Sequence, residues 1–335
     1  MKEERKVIKL KAIQKELPEL CNNFLSAGLA KKADLTRFNY AKDIKYFLEY
    51  ALDYYPYFES PSLKEMKIEE VAKITPLDID RYLSYMSDRG YSDKTIARRK
   101  SSISSLFKYL VYTEQVLEKN PVQGSTIIHV EQPDTVIYLN REDQNKLLNT
   151  VMYGTGLSDN ALKKHPHYCK RDLAIIFLFL DTGMRISELQ RLNIKDVDLQ
   201  KNELYTIRKG RQRKTPIFFS DEAEEYIREY LDERKAVMYP QSGDPLFLSN
   251  RGTRISVRNI EAMLDKYVDA AFGSGKHISP HKLRSSFAME FYRSQNGDIL
   301  MLQSRMGHKS IVSTNVYAKA FEKEAIKETR NWRNK

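Results

Sequence analysis

The stretch that decides the fold is HISPHKLRSSFAMEFYRSQNGDILMLQSRMGHKSIVSTNVY, residues 277–317. Ser279 can cap a helix, and Pro280 suits the first turn of that helix. His281 and Arg284 are three residues apart, so they project together from one face of the helix. An adjoining face carries apolar residues at four-residue spacing and is expected to face a core: Leu283, Phe287 and Phe291.

Two more helices are predicted in the same stretch. The first runs from about Asp298 to Met306 and stops at Gly307, which suits the left-handed residue that ends many helices. His308 follows at the turn. Ser310 can cap the next helix, which places Tyr317 about two turns in and nine residues after His308.

Composition limits the class of protein. A chain of 335 residues is long enough for about two domains. The net charge of +11, with acidic residues still plentiful, indicates basic patches on a globular protein and favours nucleic acid as the partner. No run approaches eighteen apolar residues and the N-terminus is charged, so a cytoplasmic location is expected. Cys21 and Cys169 have no disulfide or metal spacing.

Residues 1–120 are predicted to form a helical domain, because apolar residues recur there at spacings of three and four residues. The predicted helices are Lys6–Ala30, Phe38–Tyr54, Pro76–Arg89 and Asp93–Thr113. The last begins with a cluster of basic residues away from most of its apolar stripe. We interpret this cluster as a nucleic-acid contact, and the alternative is a solvated helix face. The cluster consists of Lys94, Arg98, Arg99 and Lys100.

Residues 121–136 contain prolines and lack a helical period, which is typical of a linker between domains. The second domain is expected over 137–335, beginning with a helix at Arg141–Met152. Residues 153–170 are polar and predicted to form a surface excursion. Alternating His165, His167 and Cys169 suggest zinc, but no second ligand pair is spaced to complete a site.

The segment MRISELQRL, residues 184–192, is predicted to be helical and follows a glycine turn. Arg185 is the first charged residue after that turn. Either a buried pair with Glu188 or a catalytic role fits its position. The one clear β region is Val197–Phe219. Its second turn is a basic tip that we interpret as a phosphate-binding site, and the alternative is a solvated turn. The basic residues of this tip are Arg208, Lys209, Arg211, Arg213 and Lys214.

These motifs together resemble the tyrosine site-specific recombinases, or integrase family. The matching strings are TGMRISEL, RKG, HKLR and MGHKSIVSTNVY, which span about residues 140–320 in the family's order. The nearest branch is the Xer-like and transposon-integrase one, with an XerS-like form as a candidate within it. The resemblance implies a mainly α fold with a small β-sheet, namely a helical, SAM-like core-binding domain followed by an α+β catalytic domain. It also implies the catalytic set Arg185, Lys209, His281, Arg284, His308 and Tyr317.

The chemistry of phosphodiester cleavage agrees with that set. Negative charge grows on the non-bridging oxygens in the transition state, and arginines bind such oxygens bidentately without losing their charge. Tyr317 is the expected nucleophile and His281 its base. The resemblance makes Lys209 the acid for the leaving 5′ oxygen, while His308 donates a hydrogen bond to the phosphate. Glu188 would hold Arg185 or Lys209.

No metal, cofactor or ATP is expected, because a 3′-phosphotyrosine retains the energy of the broken bond. The resemblance implies double-stranded DNA with paired recombination sites, exchange through a Holliday junction, and a homotetramer on DNA in which the C-terminal helix packs on a neighbouring protomer. Lys282 is a further predicted DNA contact. The alternatives are a regulatory DNA-binding protein with the same fold and a type IB topoisomerase. Chromosome-dimer resolution, element integration or excision, and inversion all remain open.

Overall fold

The computed structural model describes residues 2–130, 135–208, 213–235, 244–308 and 310–329. Contacts divide the chain into two compact units, Met1–Glu131 and Gln132–Lys335. The chain is mainly helical with a small sheet, as predicted. Among the helices described, none combines the length and apolar character needed to cross a bilayer.

The first unit is helical, and residues 2–130 contain no strand, as predicted. Its core includes the fully buried rings of Phe47, Tyr82 and Phe107. A π-helical turn, Phe24–Gly28, follows the second helix. The helices are α1 Lys2–Glu16, α2 Glu19–Asn23, α3 Asp34–Tyr54, α4 Ile68–Ala72, α5 Pro76–Asp88 and α6 Asp93–Tyr112.

The prediction of one continuous helix over Lys6–Ala30 is wrong. Pro18 separates α1 from α2 and has an extended backbone at φ −63° and ψ 157°. Proline has no N–H to donate and its ring clashes with the preceding turn, so the helix ends before it. The apolar period continues across the break because Leu17, Cys21 and Leu25 are all buried in the same core.

The second unit is built around α9, in which nearly every apolar side chain is buried and which packs against α7, α11 and α13. In the described residues of this unit, three strands form an antiparallel sheet in the order β1, β2, β3, with Leu204 opposite Val197 and Ile217. The helices are α7 Arg141–Tyr153, α8 Asp159–Lys164, α9 Cys169–Thr182, α10 Ile186–Arg191, α11 Asp221–Lys235, α12 Val257–Phe272, α13 Pro280–Ser294, α14 Ile299–Met306 and α15 Val312–Thr329; the strands are β1 Val197–Asp198, β2 Glu203–Thr206 and β3 Thr215–Phe218.

Residues 153–170 are not a simple surface excursion. They contain α8, and His165 is buried with its Nε2 atom 2.7 Å from the carbonyl oxygen of Val151. The ring also lies edge-on to Tyr267 at 6.3 Å. His165 therefore anchors this segment to the domain, and its ring nitrogen has a backbone partner.

Candidate active site

Arg284 joins three segments that are distant in sequence. Its guanidinium is buried and donates from Nη1 to the carbonyl of Gly183, which ends α9. The Nη2 atom lies 2.7 Å from the carbonyl oxygen of Met306 and 3.1 Å from Nε2 of His308. One side chain on α13 therefore connects the turn before α10 to the turn after α14.

The turn at Gly183 positions Arg185. Gly183 has φ +59°, and a Cβ atom there would overlap the ring of Phe287 on α13. Arg185 then occupies the N-cap position of α10, where Glu188 holds it through the backbone N–H and through Nη1, both at 2.9 Å. Glu188 is buried, whereas 29% of the Arg185 side chain is exposed. The guanidinium is thus fixed at one end and open to a ligand at the other.

His308 lies at the end of α14, which Gly307 terminates with φ +63°. Its backbone N–H donates to the carbonyl of Gln303 at 3.1 Å, and its Nδ1 atom lies 2.9 Å from Oγ1 of Thr314 on α15. Burial and the neighbouring positive charges, led by Arg284, lower the pKa of His308 to about 4. The imidazole is therefore neutral at physiological pH.

The electrostatics show that several cationic groups converge here. Burial and the adjacent Arg185 lower the pKa of Arg284 to about 10, so the guanidinium is still charged at neutral pH. Tyr317 acts in the opposite direction and raises the pKa of Arg284. His281 is exposed and close enough to lower the pKa of His308.

Tyr317 lies on α15 and is buried in an apolar cluster formed by α13, α14 and α15. The cluster includes Phe287, Leu302 and Met306. Predicted site residues Arg185, His281, Arg284, His308 and Tyr317 are thus brought to one region of the second unit. Lys209 and Arg211 lie outside the described residues.

Arg208, predicted to contact DNA, is buried instead. Its Nη1 and Nη2 atoms donate to the carbonyls of Ser304 and Arg305 at 3.2 and 2.9 Å, at the C-terminal end of α14. Cations are favourable at such helix ends because the carbonyls there carry partial negative charge. Arg305 in turn donates to the carbonyl of Phe218 at 2.6 Å. The β2–β3 hairpin is therefore tied to the helix that leads into His308.

The other predicted contacts of the second unit differ in their availability. Arg213 is exposed. Lys214 pairs with the carboxylate of Asp196, and Lys282 donates to the carbonyl of His277 at 2.5 Å.

The basic cluster on α6 divides in the same way. Lys94 is exposed, and Arg98 is exposed as well although it pairs with Asp43, which is buried in the domain. Lys100 donates to the carbonyls of Ser125 and Thr126 at 3.3 and 2.5 Å.

Arg99 is a structural residue rather than a surface cation. It is buried, with its guanidinium over the rings of Tyr46 and Tyr91 at 4.1 and 4.4 Å from their centroids. It also lies 3.9 Å from Asp43. The sequence interpretation missed this because an arginine in a basic run is as compatible with stacking on aromatic rings as with binding phosphate.

Comparison with known proteins agrees with the geometry. Residues 138–324 match the phage integrase family, and residues 28–115 match its N-terminal SAM-like domain. The chain belongs to the phage integrase family. It is therefore a tyrosine recombinase, an enzyme that cleaves and rejoins DNA by transesterification at specific sites.

Individual relatives support this membership. The recombinase is 33% identical over 267 residues to tyrosine recombinase XerC of Caldanaerobacter subterraneus subsp. tengcongensis. The matched region covers 78% of this chain and 69% of that protein. Its fold is similar to XerH recombinase bound to a palindromic difH substrate, with a TM-score of 0.70 and 21% identity over 91% and 82% of the two chains. The fold is also similar to the Tn1549 transposon integrase in complex with transposon right end DNA, with a TM-score of 0.63 and 19% identity. That match covers 93% of this chain and 98% of the integrase chain.

Two residues near the site were not found from the sequence. Thr314 is fully buried and contacts His308, while Gln303 receives the His308 N–H. A weak signal was present for Thr314, since a residue three positions before Tyr317 shares its helix face. That spacing alone does not show which side chain it contacts.

Proposed function

We propose that Tyr317 attacks a DNA phosphodiester and becomes linked to the 3′ end, with Arg185 and Arg284 binding the non-bridging oxygens. The single observation that carries this proposal is the contact of Arg284 with both the Gly183 carbonyl and His308, since it joins the segments that bear Arg185 and His308. Fixed cations stabilise the charge that grows in the pentavalent transition state and need no reorganisation during the reaction.

The two arginines are held by different contacts, which indicate different roles. Arg284 is held by backbone carbonyls, so its position is set before DNA binds. Arg185 is partly exposed and oriented by Glu188, which leaves part of its donor fork for a phosphate. Each such donor contributes about 3 kcal/mol to lowering the barrier, by analogy with single oxyanion donors.

Proton transfers complete the reaction. A phenolic hydroxyl needs a base before it can attack at neutral pH, and exposed His281 on α13 is our candidate base for Tyr317. Lys209 is our candidate acid for the leaving 5′ oxygen, on the basis of the family resemblance. After cleavage, a 5′ hydroxyl from another strand attacks the phosphotyrosine and reverses the step on the new strand.

We further propose duplex DNA with paired recombination sites as substrate, a homotetramer on that DNA, exchange of α15 between protomers and a cytoplasmic location. XerH and the Tn1549 integrase are DNA-bound in the similar structures. Lys94, Arg98, Arg213 and Lys214 are exposed and are our candidates for phosphate contacts. The biological task, whether dimer resolution, integration, excision or inversion, follows from which sites are paired.

The test is covalent capture. Purified enzyme is incubated with a panel of inverted-repeat duplexes, each nicked near the cleavage position so that the released fragment prevents religation. A denaturing gel should show a 3′ protein adduct with the wild-type enzyme and none with Tyr317→Phe. Tyr292→Phe is the matched control, since Tyr292 is buried in the same apolar cluster and should keep full adduct formation.

Two outcomes favour the other classes. Site-specific DNA binding without any adduct on cognate DNA would favour a regulatory protein with this fold. Relaxation of supercoiled plasmid without site preference would favour a type IB topoisomerase. An adduct that persists in Tyr317→Phe would remove Tyr317 as the nucleophile while leaving the family assignment in place.

A further inference from the structure

The proton positions on His308 follow from its two partners. Arg284 Nη2 lies 3.1 Å from Nε2, and a guanidinium has donors but no acceptor. Nε2 must therefore accept and carries no proton. In a neutral imidazole the proton is then on Nδ1, which lies 2.9 Å from Oγ1 of fully buried Thr314. Thr314 thus accepts this hydrogen bond.

Three segments around His308 supply charge that opposes a second proton. Arg284 and His281 come from α13, Arg185 from the start of α10 and Arg208 from the segment after β2. Burial acts in the same direction and is the larger effect. The neutral, Nδ1-protonated form is accordingly the stable one before DNA binds.

That form cannot donate to a phosphate, because its Nε2 atom presents a lone pair. We propose that Thr314 is a positioning residue that holds His308 as an Nδ1-protonated imidazole in the DNA-free enzyme, and that binding of the scissile phosphate adds a proton to Nε2. This rests on the proposed function, which brings the phosphate to Arg284. Thr314 keeps the ring in place in both states, since Nδ1–H is donated to it throughout.

The proton balance is simple. The Nη2–H of Arg284 that is donated to Nε2 in the DNA-free enzyme is donated to a phosphate oxygen instead, which frees the Nε2 lone pair. The phosphate also offsets the charge of Arg284, which removes a cause that disfavours protonation of His308. Nε2 takes one proton from solvent and donates it in a hydrogen bond to a phosphate oxygen. No other group changes its proton count in this step, and the positive imidazolium faces the oxygen on which negative charge grows.

The DNA-free state is tested by nitrogen NMR of the full chain labelled in the histidine rings. The chain has 6 histidines, and the spectrum of His308→Gln identifies the resonances of His308. We expect a protonated Nδ1 and an unprotonated Nε2 at neutral pH. A protonated Nε2, as the other tautomer or as the imidazolium, would overturn the proposal.

The role of Thr314 is tested by Thr314→Val, which keeps the shape and removes the oxygen, and by Thr314→Ser, which keeps the hydroxyl. Loss of one hydrogen bond should slow single-turnover cleavage by about tenfold in the valine variant, with recovery in the serine variant. Ser313→Ala, at an exposed neighbouring position, should cleave as wild type. Full activity of Thr314→Val, or equal loss in both Thr314 variants, would contradict a positioning role.

Proton uptake is measured by calorimetry in buffers of different ionisation enthalpy. The pH is about 6.5, the ordinary pKa of a histidine side chain. The enzyme carries Tyr317→Phe so that binding is seen without cleavage, and the DNA is a duplex that the wild type cleaves. We expect net uptake of up to one proton per active site, lost when His308→Gln is added. Binding without uptake would overturn the second half of the proposal. A wild type that forms no Tyr317 adduct would instead count against the proposed function.

Discussion

Glu188 holds Arg185 at two points, accepting from its backbone N–H and from its Nη1 atom, each at 2.9 Å. The carboxylate is buried and the arginine partly exposed. The sequence offered a structural pair and a catalytic arginine as alternatives, but this geometry accommodates both. Nη1 of Arg185 is oriented by Glu188, and the exposed part of the guanidinium can donate to a phosphate.

Glu188→Gln should therefore slow cleavage while leaving the fold intact. Glutamine can still accept from the Arg185 N–H at the start of α10, so the helix cap is retained. The NH2 group of the glutamine then faces Nη1 and cannot accept, so the charge-assisted bond to Nη1 is lost. Because such bonds contribute about 1.5–3 kcal/mol, we expect a loss of roughly 10- to 100-fold in single-turnover cleavage.

The matched control for that variant is Glu290→Gln. Glu290 also pairs with an arginine three residues away, Arg293 at 3.0 Å, but near the surface. Surface pairs contribute about 0–1 kcal/mol, so cleavage should be unchanged. Equal rates for Glu188→Gln and wild type would show that Arg185 does not depend on this carboxylate.

The proposed acid is tested by changing the leaving group. Lys209→Ala should slow cleavage of ordinary DNA by about 10²- to 10⁴-fold, the usual contribution of general acid catalysis. When the 5′ bridging oxygen is replaced by sulfur, the loss should be far smaller, because a thiolate leaves without being protonated. Arg213→Ala, in the same basic tip, should show the same fractional loss on both substrates. Equal loss for Lys209→Ala on both would remove it as the acid.

Gly307 is restricted by both its backbone and its neighbour. It has φ +63°, and a Cβ atom would overlap the guanidinium of Arg208. Gly307→Ala should lower the free energy of unfolding by about 2–4 kcal/mol, combining left-handed strain with overpacking. Gly297→Ala is the control, since its φ is +81° but the nearest atom, the Tyr292 hydroxyl, would be in ordinary contact at 3.4 Å. It should cost about 1–2 kcal/mol.

The measurement is urea unfolding of the full chain followed by circular dichroism. Adding Arg208→Ala should remove the overlap, so that Gly307→Ala in that background costs no more than Gly297→Ala. Additive effects of the two substitutions would mean that Arg208 does not press on this turn.

Local rules in the sequence predicted much of this structure. The start of α13 at Pro280, the end of α14 at Gly307 and the cap of α7 by Asn140 all depend on residues within a few positions, and each is confirmed. The fold class followed from the helical period and one short β region.

Contacts that link distant segments could not be predicted in this way. Arg284 bonds a carbonyl 101 residues away, and Arg208 bonds carbonyls 96 and 97 residues away. The sequence gives the charge of Arg208 but not whether that charge meets solvent or a helix end. For Arg99, one stacking partner, Tyr46, comes from α3, while the other, Tyr91, lies just before α6.

Glu70 gives the first unit a predicted acid sensitivity. Burial disfavours its ionised form, but hydrogen bonds from the Ser60 hydroxyl and from the backbone N–H groups of Lys67, Glu59 and Ser60 outweigh that effect and lower its pKa to about 2. A carboxyl whose pKa is lower in the folded state stabilises the fold above its unfolded value near 4.5, and this contribution is lost as the pH falls toward 2. Glu70→Gln should cost at least about 2 kcal/mol at neutral pH, because the single amide oxygen can accept only two of these four hydrogen bonds and is a weaker, uncharged acceptor. Urea unfolding between pH 5 and pH 2 should then show a flatter pH dependence for Glu70→Gln than for wild type, whereas exposed Glu69→Gln should follow wild type. Parallel pH curves for Glu70→Gln and wild type would mean that another carboxyl is responsible for the acid sensitivity.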